Sequence, residues 1–176
     1  MTYVIAFTGA AGCGKSTASK VLYQKGYNLV KFAGALKGML ASIGLTKDHL
    51  EGHLKNQPCS LLGGQTPRFA MQTLGTEWGR NIMADDFWIN LWKMQAMRLP
   101  FVVVDDLRFP NEADAVRDLG GTIVRITRPL SLQNTDYAHA SETDMASIIP
   151  DVTIENIGSL LRFEGEIETL MDPLMT

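Results

Sequence analysis

Eight residues near the start, Gly9-Ala10-Ala11-Gly12-Cys13-Gly14-Lys15-Ser16, constrain this chain more than any other stretch. They fit G-x-x-x-x-G-K-[ST] position for position, and the flanking residues supply the setting that pattern requires. Residues 3–8 (YVIAFT) are a short apolar run with strand character, and residues 15–24 carry an amphipathic helical pattern. Strand, glycine-rich turn and helix start together make a cradle for phosphate. Glycines let successive backbone N–H groups turn inward, the helix N-terminus adds partial positive charge, and Lys15 reaches the β and γ phosphates. Gly9, Ala11, Gly12, Cys13 and Gly14 are thus expected to line bound nucleotide, with Cys13 a small filler. Ser16 is expected to hold magnesium through its hydroxyl and Thr17 to support the α phosphate.

The rest of the chain alternates strand and helix signals. A second strand is expected over 28–32, a helix over 35–43 and a short helix over 46–54. KNQPCSLLGGQ (55–65) reads as a loop, and Thr66 with Pro67 reads as an N-cap and first helical residue opening a helix over 67–74. A further helix starts near Asp85 or Asp86 and runs through FWINLWKMQAM. FVVV (101–104) is apolar and β-rich, as a strand buried on both faces should be. Pro110 opens the next helix and Gly120 closes it. Strands over 122–127 and 152–154 and a helix over 159–171 complete the pattern. Such alternation gives an α/β sheet with helices on both faces. The 176 residues suit one domain, 1–176, with a helical insertion at 33–99.

Sixteen Lys plus Arg against nineteen Asp plus Glu leave a net charge of −3, which argues against a nucleic-acid binder relying on a basic surface. No run of eighteen apolar residues occurs, and MTYVIAFTGAAG lacks a basic segment before its apolar stretch, so neither a membrane partner nor a secretory leader is expected. A cytoplasmic protein with reduced Cys13 and Cys59 follows. No Asn-Lys-x-Asp guanine reader is present, which excludes a GTPase. Small size, the helical insertion and the polar stretch at 131–141 suit a small-molecule kinase with a closing lid that keeps water from the γ phosphate.

Candidate residues follow from this reading. Asp105-Asp106-Leu107-Arg108 leaves the carboxyl end of the third strand, where ligands of parallel sheets sit. One of the two aspartates, Asp105 or Asp106, is expected to order the magnesium shell directly or through water, and Arg108 to neutralise charge on the transferring phosphoryl group. Arg68, Gln72 and Arg80 in the insertion, with Lys37 before them, are candidates for an anionic acceptor, because guanidinium grips phosphate bidentately. Arg125 and Arg128 flank the start of the polar segment, where the arginines of a lid at 128–145 would sit; Arg128 is the candidate catalytic arginine, and for Arg125, mid-strand, a structural ion pair competes with catalysis. Trp78, Trp88 and Trp92 read as core. HLEGH (49–53) lacks the glutamate of H-E-x-x-H and reads as no metal site. A kinase for another acceptor, phosphomevalonate-like or dephospho-coenzyme-A-like, and a non-catalytic nucleotide-binding regulator are the competing readings.

GAAGCGKS, FAGALKGML (32–40), RFAMQTLGTEWGR (68–80), VVVDDLRFPNEADAVRDLGGTIVRITRP (102–129) and VTIENIGSLLRFEGEI (152–167) together resemble the deoxynucleoside monophosphate kinases of tailed bacteriophages. The likeness covers most of the chain, and MQTLGTE with D-x-R-F-P-N-E and I-x-N-x-G-S is far more specific than the phosphate loop alone. It implies a P-loop nucleoside triphosphate hydrolase fold of the nucleoside monophosphate kinase kind. That fold is a five-stranded parallel sheet flanked by helices, with a helical acceptor region and a short lid. The implied reaction is transfer of the γ-phosphoryl group of ATP, with Mg2+, to a deoxynucleoside 5'-monophosphate, giving a dNDP and ADP. A homodimer is implied too, working in the host cytoplasm for a phage-encoded chain. Lys15 and Ser16 match the phosphate loop, Asp106 and Arg108 the D-x-R pair, and Arg68 the arginine opening the acceptor helix. Lys37 and Arg128 match basic positions, and Asn156 lies where these kinases hold adenine. The short 44–66 stretch, where some relatives carry a long insertion, and the extra carboxylate Asp105 depart from the pattern.

Overall fold

Val4, Ile5, Ala6 and Phe7 have no exposed surface, so the strand that contains them has to lie inside a sheet covered on both faces. A computed structural model of the chain, describing residues 2–129, 145 and 147–171, shows that arrangement. Its elements run β1 (Tyr3–Thr8), α1 (Lys15–Gln24), β2 (Asn28–Leu29), α2 (Gly34–Ser42), α3 (Lys47–Leu50), α4 (Pro67–Gln72), a π-helical stretch (Thr73–Met83), α5 (Phe87–Ala96), β3 (Phe101–Val104), α6 (Pro110–Asp118), β4 (Thr122–Thr127), β5 (Val152–Glu155) and α7 (Leu160–Glu168). The five strands are parallel in the order β2-β3-β1-β4-β5. Registers Ala6↔Val104 and Thr8↔Arg125 align the carboxyl ends of the central strands. No described helix is long and apolar enough to cross a membrane.

Two compact units are present: Met1–Lys31 with Lys93–Thr176, and Phe32–Trp92. In the first, the alternation of β1 sorts its side chains between two layers. Ile5 and Phe7 join Ala18, Val21 and Leu22 of α1 and Phe163 and Ile167 of α7 in one core. On the opposite face, Val4 and Val116 of α6 stand so close to Gly121 that a Cβ there would lie 2.8 and 2.7 Å from them. Asp151, just before β5, accepts the Ile123 N–H with its carboxylate at 2.7 Å and donates its own N–H to the Ile123 carbonyl at 2.9 Å. Arg125 donates to the Met145 and Ile148 carbonyls, a structural role.

The second unit is helical, built around Leu36, Leu40, Leu45, Leu50, Cys59 and Trp88. Thr66 caps α4 by accepting the Phe69 N–H at 3.1 Å, with Pro67 as first helical residue, as its sequence signature demands. His49 accepts the Thr46 N–H at 3.1 Å and so caps α3. No group of three metal-ligating side chains forms among the described residues.

Three elements differ from expectation. The expected strand at 28–32 pairs over two residues only, because β2 is the edge strand. The expected 46–54 helix is split into α3 and a 3-10 turn at His53–Asn56, with Gly52 between them. The expected 67–74 helix continues through Met83 as wide π turns, shown by the Ala84 N–H on the Gly79 carbonyl at 3.1 Å. Gly75 and Gly79 depress helix propensity in sequence, yet both are occupied by packing. Trp88 donates its indole N–H to the Gly75 carbonyl at 2.8 Å, and a Cβ on Gly79 would lie 2.3 Å from the same nitrogen.

Gly79→Ala is therefore expected to destabilise by about 1–3 kcal/mol through overpacking, where propensity alone would favour alanine by about 1 kcal/mol. Urea denaturation checks the sign; a stabilised variant would show that Trp88 does not set this turn.

Candidate active site

Backbone can enter the loop after β1 only where side chains are missing. Gly9 has φ +138°, and a Cβ on it would lie 2.2 Å from the Ile126 carbonyl oxygen on β4. Gly14, at φ +118°, is the N-cap of α1, and its Cβ would lie 2.5 Å from Asn156 Nδ2 and 3.3 Å from the Phe163 ring. Cys13 is fully buried beneath the loop, its Sγ 2.9 Å from where a Gly9 Cβ would stand, in the filler role expected of it. The Ala18 N–H makes the first helical bond, to the Gly14 carbonyl at 2.9 Å. The N–H groups of Gly14, Lys15, Ser16 and Thr17 precede it at the positive end of the helix.

Lys15 folds back over this loop. Its ammonium donates to the Gly9 and Ala10 carbonyls at 2.6 and 2.8 Å. Burial pushes its pKa below the usual 10.5; Cys13 and Asp105 pull it upward and the Arg108 charge pushes it further down. The Lys15 ammonium is thus tethered to loop carbonyls at the end of β1, the strand beside β3.

That neighbouring strand supplies the second half of the site. Asp105 is nearly buried, accepting from Ser19 Oγ at 3.1 Å through Oδ2 and pairing with Lys31 Nζ at 3.2 Å through Oδ1. Asp106 is half-buried, Leu107 has no exposed surface and Arg108 is exposed, so a buried anchor separates the D-x-R pair. Glu112, itself buried at the start of α6, accepts the Arg108 and Phe109 N–H groups at 2.9 and 3.1 Å. The turn carrying Asp106 and Arg108 is therefore braced from below by a carboxylate.

Lys31 and Glu112 were not among the sequence candidates. Continuing the register Leu29↔Val103 by two residues sets Lys31 opposite Asp105, a neighbourhood visible only once β2 is known to flank β3. For Glu112 the signal was present: Pro110 as first helical residue with an acid two positions on.

The structure brings Gly9, Ala11, Gly12, Cys13, Gly14, Lys15, Ser16, Thr17, Asp106, Arg108, Arg128 and Asn156 into the sheet unit. Asn156 follows β5 and donates its amide to the Cys13 carbonyl at 2.8 Å. Arg128 is half-buried just beyond β4, and the rest of the expected lid lies outside the described residues apart from Pro129 and Met145. Lys37, Arg68, Gln72 and Arg80 belong to the helical unit. There Lys37 pairs with Glu51 at 2.8 Å, Arg68 donates to Asn56 Oδ1 at 2.6 Å, and Arg80 lies 3.9 Å from the Asp85 carboxylate. Gln72 is exposed.

Residues 65–167 match the family described as deoxynucleotide monophosphate kinase. A protein of Acanthamoeba polyphaga mimivirus named "Putative deoxynucleotide monophosphate kinase" is 31% identical, with 96% of each chain covered. One of Enterobacteria phage T4, "Deoxynucleotide monophosphate kinase", is 28% identical over 61% of this chain and 46% of its own length. Among solved structures, TT1252 from Thermus thermophilus shares the fold, with TM-score 0.52, 16% identity and 96% coverage of both chains.

A lysine whose folded pKa lies below its unfolded 10.5 leaves the unfolded chain with more bound proton between the two values. This group's contribution to stability therefore rises with pH through that window, and a phosphate held on the ammonium is expected to bind more weakly across it. The dissociation constant for ATP is expected to weaken with pH below the ordinary lysine range and to stay flat over that range in Lys15→Arg. An alkaline limb identical in the two proteins would contradict the placement of Lys15.

Proposed function

Because the chain belongs to the deoxynucleotide monophosphate kinase family, and is a nucleotide kinase, we propose that it transfers the γ-phosphoryl group of ATP to a deoxynucleoside 5'-monophosphate. The observation that carries this reading is the pairing of two features at the carboxyl ends of adjacent strands. One is the glycine loop with the Lys15 ammonium on the Gly9 and Ala10 carbonyls, and the other is the D-x-R turn braced by Glu112.

In the proposed reaction the bond from the γ phosphorus to the oxygen that stays on ADP breaks. A new one forms to an oxygen of the acceptor phosphate. That phosphate has a second pKa of about 6 and is mostly a dianion at neutral pH, so no side chain needs to take a proton from it. Catalysis is alignment and charge neutralisation. Lys15 meets the β and γ oxygens, Arg108 and Arg128 offset charge on the group in transit, and the α1 N-terminus receives the remaining phosphate oxygens. Arg68, with Lys37, Gln72 and Arg80, holds the acceptor nucleotide.

Ser16 and Asp106 would hold Mg2+. Both offer hard oxygen donors, which suits an ion that takes few protein ligands and completes its shell with water and phosphate. Asp105 is the poorer candidate, since its two oxygens are engaged by Lys31 and Ser19. When bound, the ion neutralises charge on the β and γ phosphates.

ADP formation with each of dAMP, dGMP, dCMP, dTMP and AMP is expected to exceed the acceptor-free rate for one or more deoxynucleotides. Lys15→Ala should lower kcat/KM by at least roughly 10²–10³-fold, the loss that follows removal of one transition-state hydrogen-bond donor. Arg68→Ala should raise KM for the acceptor by about tenfold or more and leave KM for ATP unchanged. ADP formation that ignores every acceptor would overturn the proposal.

A further inference from the structure

Asn156 was expected at the base of ATP, yet its amide nitrogen lies 2.8 Å from the Cys13 carbonyl oxygen. A carbonyl can only accept, so the donating end of the side chain has to face the loop. Its own backbone is fixed as well: the Asn156 N–H donates to the Thr127 carbonyl at 2.8 Å, extending the β4–β5 ladder by one residue. Gly14 leaves the room for this contact, since a Cβ there would lie 2.5 Å from the same nitrogen.

The bond falls on a peptide unit of consequence. Cys13 C=O and Gly14 N–H belong to one trans peptide, and in a trans peptide the two point to opposite edges. Gly14 is also the residue with φ +118° at which the loop turns into α1, and its N–H heads the free donors of the helix. Glycine there has little conformational restraint of its own, so an unheld 13–14 peptide is free to rotate.

We infer that Asn156 is a positioning residue of the phosphate loop: by holding the Cys13 carbonyl on its outer side, it turns the Gly14 N–H toward the bound phosphates and acts on them through the backbone. The inference rests on the reading of Gly9 to Ser16 as the site of ATP phosphates. It differs from a base-reading role in which part of the nucleotide feels the residue.

The test compares Mg-ATP, Mg-tripolyphosphate and adenosine binding by calorimetry in the full chain and in Asn156→Ala. ATP and tripolyphosphate affinities are expected to fall by the same factor, about tenfold, with adenosine affinity unchanged. Asn156→Ser, which keeps a shorter donor, should lose less, and it serves the same comparison where the alanine variant does not fold. Loss of ATP affinity with tripolyphosphate unaffected would assign Asn156 to the base and overturn the inference alone. Failure of the unaltered protein to bind Mg-ATP would overturn the phosphate-loop reading and the inference with it.

Discussion

The site depends on a close approach of backbone to backbone at Gly9, where any side chain would run into the Ile126 carbonyl of the next strand. β1 can therefore carry its chain straight past β4 before turning, and the turn is completed at Gly14 against Asn156 and Phe163. The Lys15 ammonium then finds the Gly9 and Ala10 carbonyls within reach, and the positive end of α1 opens at the same place.

Much of this was legible in sequence because it is local. The glycine loop, its flanking strand and helix, the α4 cap and the wholly apolar third strand each carry their cause within a few residues. What stayed hidden depends on partners far along the chain. Lys31 becomes part of the site only because the edge strand β2 lies beside β3, and the amide of Asn156 reaches Cys13 across 143 positions. The π-helical stretch was missed for another reason: Gly75 and Gly79 look like helix breakers, whereas in the folded unit they make room for Leu36 and Trp88.

The two aspartates after β3 show how burial divides labour between like residues. Asp105 turns inward and is matched by Lys31 and Ser19, so its charge is balanced where water is scarce. Asp106 lies one residue on and is half-buried, next in sequence to the buried Leu107. The extra carboxylate that departs from the family pattern thus has a structural occupation, and its negative charge helps keep Lys15 protonated against the pull of burial. Glu112 plays a comparable part for Arg108, trading the same acid chemistry for two backbone donors.

Phosphoryl transfer to a deoxynucleotide is the claim on which the account stands, and following the phosphorus itself tests it most directly. With ATP labelled at the γ phosphate and one accepted deoxynucleoside monophosphate, the account predicts that label appears in the β position of the corresponding diphosphate. Label released only as inorganic phosphate, whatever acceptor is supplied, would contradict it.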